Sequence, residues 1–318
     1  MNETTVPQTV LFPELFDRPL VATFDQAHAS SDGGAGLLKA ADRALGLTDA
    51  LALTWPEARA VARVTHAGAD VLAQRIFAIA CGYPDGNDAD GLADDPIQKL
   101  LLDRDPISGG RLASQPTVSR FENAWSPRAL YRLGDSLTDT VIARHRRRKR
   151  HARRITIDLD VTEDPTHGAH QLSFFNGFYG SWCYLPLIAF LTIDDEPRQF
   201  LVAAVLRPGN ASTAGGALSL LRRLIPKVWA AFPRARVRVR LDAGFATPAV
   251  FEELEAAGVE YVVAMAKNTV LETAAGPLLA DARTVAEATG ASARVFGETP
   301  YQAKTWPHAR RAVIKAEV

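Results

Sequence analysis

The sequence predicts an α/β chain in two parts. Residues 1–150 are expected to be mainly helical. Residues 151–318 are expected to form a mixed sheet, its elements running strand-strand-strand-helix-strand-helix-strand. Three observations carry this. Apolar residues recur at helical spacing up to about Arg147 and as short β-branched runs after Arg154. A dense basic block sits where the period changes. Two of the later runs, Arg154-Ile-Thr-Ile-Asp158-Leu-Asp160 and Arg236-Val-Arg-Val-Arg-Leu-Asp242, end in carboxylates.

A chain of 318 residues has room for about two domains and a sizeable core. With 47% hydrophobic and 23% charged residues it has the composition of a globular protein. The formal net charge is zero, yet the charge is unevenly spread. Residues 1–142 hold 12 basic and 19 acidic residues, residues 143–154 hold 8 and none, and residues 155–318 hold 16 and 17. Cys81 and Cys183 are the only cysteines, too few for a disulfide framework or a zinc site. The start lacks the basic and apolar regions of a signal peptide. The longest apolar run, Trp182 to Leu191, contains Pro186 and is too short to span a membrane. No membrane partner is expected.

Residues 1–28 read as an extended arm. Ser31-Asp-Gly-Gly-Ala-Gly36 opens a helix through Leu37, Leu38, Ala41 and Leu45 that stops at Gly46. Val71, Leu72, Ile76 and Ile79 mark another helix. Ser114-Gln-Pro116 is a helix start, with Ser114 as cap and Pro116 in the first turn. A helix opened by Ser, Thr and Arg120 also suits the reading helix of a helix-turn-helix.

After Arg154, strands are expected over Ile155–Val161, Tyr184–Ile193 and Gln199–Leu206, the last two joined by a turn at Asp194–Arg198. Ser212 is expected to cap an amphipathic helix through Leu218, Leu221, Leu224, Ile225 and Val228. Val237–Leu241 is a fourth strand. Thr247-Pro248 opens a helix that Gly258 ends, and Val259–Met265 is a fifth strand.

This order is that of the ribonuclease H-like arrangement, in which the first and fourth strands lie side by side. Asp160 and Asp242 would then meet, although 82 residues separate them. Carboxylates at strand ends are rigid oxygen donors of the kind a divalent-metal phosphoryl-transfer site uses. Asp158 shares the strand face of Asp160 and is either its helper or its rival.

The segments Asp160-Val-Thr, Asp164-Pro-Thr-His-Gly168, Leu172-Ser-Phe-Phe-Asn-Gly177 and Leu241-Asp-Ala-Gly-Phe245 resemble the signatures of DDE insertion-sequence transposases, specifically the group numbered thirteen-eighty. Ser30-Ser-Asp-Gly-Gly34 and Leu112-Ala-Ser-Gln-Pro-Thr-Val-Ser-Arg-Phe-Glu-Asn123 match that group as well, so the resemblance covers nearly the whole chain. It implies a DNA transposase that cleaves element ends and transfers strands with Mg²⁺ or Mn²⁺. Asp160 would be the first acid of the triad and Asp242 the second, both holding metal. Double-stranded DNA, as terminal inverted repeats and as target, would be the partner. The protein would work as a homo-oligomer on DNA, in the cytoplasm and near the nucleoid.

The family's third acid is a Glu in a Tyr-Arg-Glu-Lys-like pattern on a late helix, after a β-rich insertion. No such pattern follows Asp242, and Glu317, in Ile-Lys-Ala-Glu-Val, reads as strand. The expectation is that residues 267–318 enter the β-rich insertion, that the chain is truncated before its last catalytic helix, and that it is inactive in strand transfer. Two alternatives stand beside this: a non-catalytic DNA-binding remnant, and a ribonuclease H-like nuclease using Asp158, Asp160 and Asp242.

For DNA contact the candidates are Arg144, Arg146, Arg147, Arg148, Lys149, Arg150, Arg153 and Arg154 of the basic block, with Arg120. Arg234, Arg236, Arg238 and Arg240 share one strand face, which is either covered by acids or tracks a phosphate backbone. His167 and His170 are expected to serve a loop rather than a metal. The five tryptophans are expected in cores rather than as base-stacking surfaces.

Overall fold

A computed structural model describes residues 10–22, 29–57, 59, 64–148 and 151–318. Two compact units divide the chain, Met1–Arg150 and His151–Val318. Most of the expected arm over residues 1–28 lies outside the described residues. Its described part holds a short antiparallel pair, β1 (Val10–Leu11) with β2 (Leu20–Val21).

The first unit then runs through α1 (Gly36–Leu45), α2 (Leu47–Ala52), α3 (Gly68–Ala80), α4 (Asp88–Leu92), α5 (Pro96–Leu101), α6 (Gln115–Asn123) and α7 (Pro127–Arg148). Gly46 ends α1 at φ 64°, a left-handed position suited to glycine. Val71, Leu72, Val118 and Phe121 form the core, with Trp55 and Trp125 packed on it. The Trp55 ring lies 4.5 Å from that of Phe121 and 4.9 Å from that of Trp125. Buried Gln74 of α3 clasps the backbone of Ala113 through two hydrogen bonds of 2.8 and 3.0 Å, fixing where α6 begins. The side chain of Ser114 makes no cap hydrogen bond. Leu102 to Ser114 separate α5 from α6, far more than the turn of about three or four residues in a helix-turn-helix.

In the second unit the strands are β3 (Arg154–Val161), β4 (Asp164–Pro165), β5 (Phe174–Asn176), β6 (Ser181–Tyr184), β7 (Leu187–Ile193) and β8 (Phe200–Val205). They are followed by α8 (Ala217–Ala231), β9 (Arg236–Leu241), α9 (Pro248–Ala256), β10 (Glu260–Val263), α10 (Thr269–Thr289), β11 (Arg294–Tyr301) and β12 (Arg310–Glu317). Five strands form a mixed sheet in the order β10-β9-β3-β7-β8. β3 is antiparallel to β7 and parallel to β9, which is parallel to β10. Alternate residues point to opposite faces. Ile155, Ile157, Leu159, Ala189, Leu191, Val237 and Val239 are buried, as are Leu221, Leu224 and Val228 of α8 and Val250 and Leu254 of α9. The other face carries the polar residues Asp158, Asp160, Arg236, Arg238 and Arg240.

Three expectations need correction. The strand expected over Tyr184–Ile193 starts later, as β7 from Leu187, and Tyr184 is the last residue of β6 in another sheet. Leu185-Pro186 separates them, since Pro186 has no N–H for a ladder and restricts its predecessor. The piece before it, β6, pairs instead with β4 and β5. Ser212 does not cap α8, which begins after Gly216 at φ 81°. Residues 267–318 do not open as β structure. They form α10, capped by the Asn268 side chain accepting from Leu271 N at 3.1 Å and ended by Gly290 at φ 65°.

Only then comes the antiparallel hairpin β11–β12, with Glu317 on β12 paired to Arg294 at 2.6 Å. Arg310 fastens this hairpin to α9. Its guanidinium donates to both oxygens of Glu255 at 2.6 and 2.9 Å and lies 4.8 and 4.9 Å from the rings of Phe251 and Trp306.

Candidate active site

The pairing of β3 with β9 matches Arg154 with Arg236 and Asp158 with Arg240. The ladder ends at that pair; continued by two residues, its register would bring Asp160 beside Asp242, which follows the last residue of β9, on strands about 4.8 Å apart. Each acid is held by one oxygen. Asp160 Oδ1 accepts from Val161 N at 2.8 Å, and Asp242 Oδ1 from Gly244 N at 2.8 Å.

Leu241-Asp-Ala-Gly-Phe245 has a physical reason at each end. Leu241 and Phe245 are buried, and Asp242 caps the 3-10 turn Ala243–Phe245 between them. Gly244 presses on Thr213, leaving no room for a side chain. The Thr213 loop is in turn held by buried Arg207, which donates to the carbonyls of Leu185, Ser212, Thr213 and Gly215 at 2.6–3.2 Å. Burial pushes the Arg207 pKa down.

Asp158 is committed elsewhere. Arg240 Nε and Nη2 donate to its two oxygens at 2.5 and 2.9 Å, and Gln199 Nε2 donates at 3.2 Å. The neighbouring arginines are paired likewise, Arg238 with Glu260 at 2.8 Å and Arg236 with Glu260 at 3.4 Å. β9 lies inside the sheet, so its arginine row is a face crossed by ion pairs rather than an exposed edge.

Two residues not singled out from sequence adjoin the acids. Glu163 accepts from the Ser181 hydroxyl, which ties the end of β3 to β6. The Tyr179 phenol is pushed above its ordinary pKa, first by burial and then by the negative charges of Asp160, Glu163 and Asp242. It therefore senses all three carboxylates. Glu163 lay in plain sight three residues after Asp160. Nothing in the sequence ties Tyr179 to Asp242.

Asp160 and Asp242 suit a hard divalent cation, since both offer carboxylate oxygen and, among the described residues, neither Oδ2 is hydrogen-bonded. Among the described residues, no group of three or more His, Cys, Asp or Glu side chains could hold a metal ion. The His170 ring nitrogen Nε2 bonds to the His167 carbonyl at 2.8 Å. Of the basic block, Arg144, Arg146, Arg147 and Arg148 are exposed on the last turns of α7, while Lys149 and Arg150 lie outside the described residues. Arg154 pairs with Asp195 at 2.5 Å, the backbone N–H of Arg153 donates to Asp194, and exposed Arg120 bonds Thr117. A cavity of about 1050 Å³ opens between β10, α10 and β12, apart from the two acids. Among the described residues, no helix is long and apolar enough to cross a membrane.

A sheet that brings two acid-tipped strands together defines a candidate for metal-dependent chemistry. The chain belongs to the family described as transposase DDE domain group 1, whose model matches residues 12–318. The motif resemblance therefore holds at the level of the family. No curated protein matches the chain. Among solved structures it is similar to the Mos1 transposase paired-end complex with left transposon end, at 15% identity and TM-score 0.23 over 63% of this chain and 68% of that one. It is also similar to the Mos1 strand transfer complex, at 15% and 0.23 over 77% and 83%, and to the Mos1 mariner paired-end complex with Mn, at 12% and 0.23 over 73% and 78%. Likeness at that score defines neither a shared fold nor a shared ligand.

Proposed function

We propose that this chain is an insertion-sequence DNA transposase, built on a ribonuclease H-like sheet, that acts on element ends with Mg²⁺ or Mn²⁺. The parallel pairing of β3 with β9, whose register continued by two residues would bring Asp160 beside Asp242, is the observation that supports the reading. The two acids hold the metal, and the N–H groups of Val161 and Gly244 orient them. Bound there, a divalent ion supplies Lewis acidity that lowers the pKa of a water or 3′-hydroxyl and offsets charge on the leaving oxygen. Tyr179, its pKa raised, stays protonated at neutral pH and donates to a phosphate oxygen. Asp158 is a strut that Arg240 neutralises, which speaks against a nuclease built on Asp158, Asp160 and Asp242.

The arginines at the end of α7, with Lys149, Arg150, Arg153, Arg154 and Arg120, contact DNA phosphates as the protein works in the cytoplasm as an oligomer on nucleoid DNA. Glu163 is tied to Ser181, and among the described residues no group of three acids could hold a metal ion, so strand transfer requires a further carboxylate. The test uses DNA carrying the inverted repeats that flank the gene, with and without Mn²⁺. The reading expects specific binding that weakens with salt, strengthens with Mn²⁺ and leaves the DNA uncut. Cleavage by the chain alone contradicts the need for a third acid. Absence of binding contradicts the function.

A further inference from the structure

The three-stranded sheet β4-β6-β5 follows the end of β3 that carries Asp160 and displays aromatic side chains to solvent. Phe178 is 88% exposed, Trp182 59% and Phe175 54%. Phe175 and Trp182 face each other across β5 and β6 with ring centroids 6.2 Å apart, and Phe178 lies edge-on to Tyr179 at 4.9 Å. Large apolar rings left in water in a cluster mark a binding surface, whereas scattered ones need no explanation.

The backbone that carries these rings is held by hydrogen bonds. Asn176 Oδ1 accepts from the N–H groups of Phe178 and Tyr179 at 3.0 and 3.4 Å, its Nδ2 donates to Gly209 O at 2.8 Å, and Gly180 N closes the turn on Asn176 O at 2.8 Å. A Cβ on Gly209 would stand 2.1 Å from the Cys183 carbonyl, so the sheet is seated directly on that strand connection. The Glu163–Ser181 bond and the 3.1 Å bond from Thr162 N to Pro186 O fasten it to the end of β3. The turn carrying the rings is thus tied to the end of β3, and Tyr179 within it lies close enough to Asp160 and Asp242 to feel their charge.

We propose that Phe175, Phe178 and Trp182 form a stacking platform for unpaired nucleobases of the DNA strand whose phosphate lies at Asp160 and Asp242. This rests on the DNA reading above. The occupant is a base because the platform adjoins a site for a phosphodiester, and the bases flanking that phosphate are the flat apolar surfaces nearest to it. Every base has a face that an aromatic ring can stack on, so the platform needs no sequence match. It reverses the expectation that all five tryptophans serve cores. Trp182 does not.

The test uses the full chain with Ca²⁺ and two fluorescein-labelled duplexes of one sequence, one blunt and one ending in unpaired thymines. Anisotropy should show tighter binding of the frayed duplex. The F178A/W182A variant should lose roughly tenfold on the frayed duplex and nothing on the blunt one. F178A alone should lose part of the preference, and thermal melting of both variants checks folding. Equal wild-type affinity for the two duplexes overturns the platform while leaving DNA binding intact. A variant that keeps the preference also overturns it. Loss of self-association with the preference unchanged gives the surface to a second copy instead. Failure of the wild type to bind either duplex defeats the DNA reading and the platform with it.

Discussion

A methyl group on Gly244 would stand 2.4 Å from Thr213 Cγ2, so the turn carrying Asp242 and the loop before α8 are packed as closely as their atoms allow. The Gly244→Ala change must move one of them. It should cost about 1–3 kcal/mol of stability, as over-packing does, and weaken Mn²⁺ binding, because Gly244 N orients Asp242. Adding Thr213→Gly removes the three nearest atoms and should restore part of that binding. Chemical denaturation and Mn²⁺ titration of the three proteins check both effects. A Gly244→Ala protein with wild-type metal affinity would separate the turn from the site.

Asp158 and Asp160 share a strand face and differ in partners. Asp158→Ala leaves Arg240 without its carboxylate and should lower stability by about 1 kcal/mol, a small effect because the Arg240 side chain is half exposed. Metal affinity should not change. A large loss of Mn²⁺ binding in this variant would make Asp158 a ligand after all.

Acid should loosen the anchor of the β11–β12 hairpin. The hydrogen bonds from Arg310, with smaller contributions from Tyr261 and from the charges of Arg310 and His308, hold the Glu255 carboxyl at about 2, against an ordinary 4.5. A depressed folded-state pKa means that the stabilisation is complete above 4.5 and is lost as pH falls from there toward about 2. Glu255→Gln should flatten the fall in stability across this window. Hydrogen exchange should show β12 opening earlier in acid for the wild type and at all pH values for the variant. An unchanged acid profile would remove Arg310–Glu255 as the anchor.

Salt dependence reads the arginines of α7. Removing one phosphate-binding arginine should lower the slope of log affinity against log salt by about 0.9. The R144A/R147A variant should therefore show a shallower slope on any duplex in an anisotropy titration. An unchanged slope would place the DNA elsewhere.

Much of the second unit was legible because its signals are local. Ile155–Val161 and Val237–Leu241 alternate or run apolar and end in acids, and Thr247-Pro248 to Gly258 carries its own start and stop. The side-by-side placing of β3 and β9, the strands that lead into Asp160 and Asp242, was expected from element order and the arrangement that order matches. What escaped depends on partners distant in sequence. Nothing within the run Tyr184–Ile193 says that Tyr184 joins a different sheet from Leu187–Ile193, although Pro186 marks the break. The helix α10 was hidden by the expectation of a β-rich segment, while Asn268, an alanine-rich stretch and Gly290 announced it locally. The arginine row of β9 was readable as a face, but its acids sit on β3 and β10. Tyr179 reaches the site through a turn fixed by Asn176 and Gly180, which no spacing rule connects to β9.

The most direct measurement is Mn²⁺ binding, by titration with electron paramagnetic detection of the free ion, to the wild type and to Asp160→Asn, Asp242→Asn and the double variant. If the two acids hold one site, either single change removes nearly as much binding as both together. Wild-type affinity in either single variant would contradict the site.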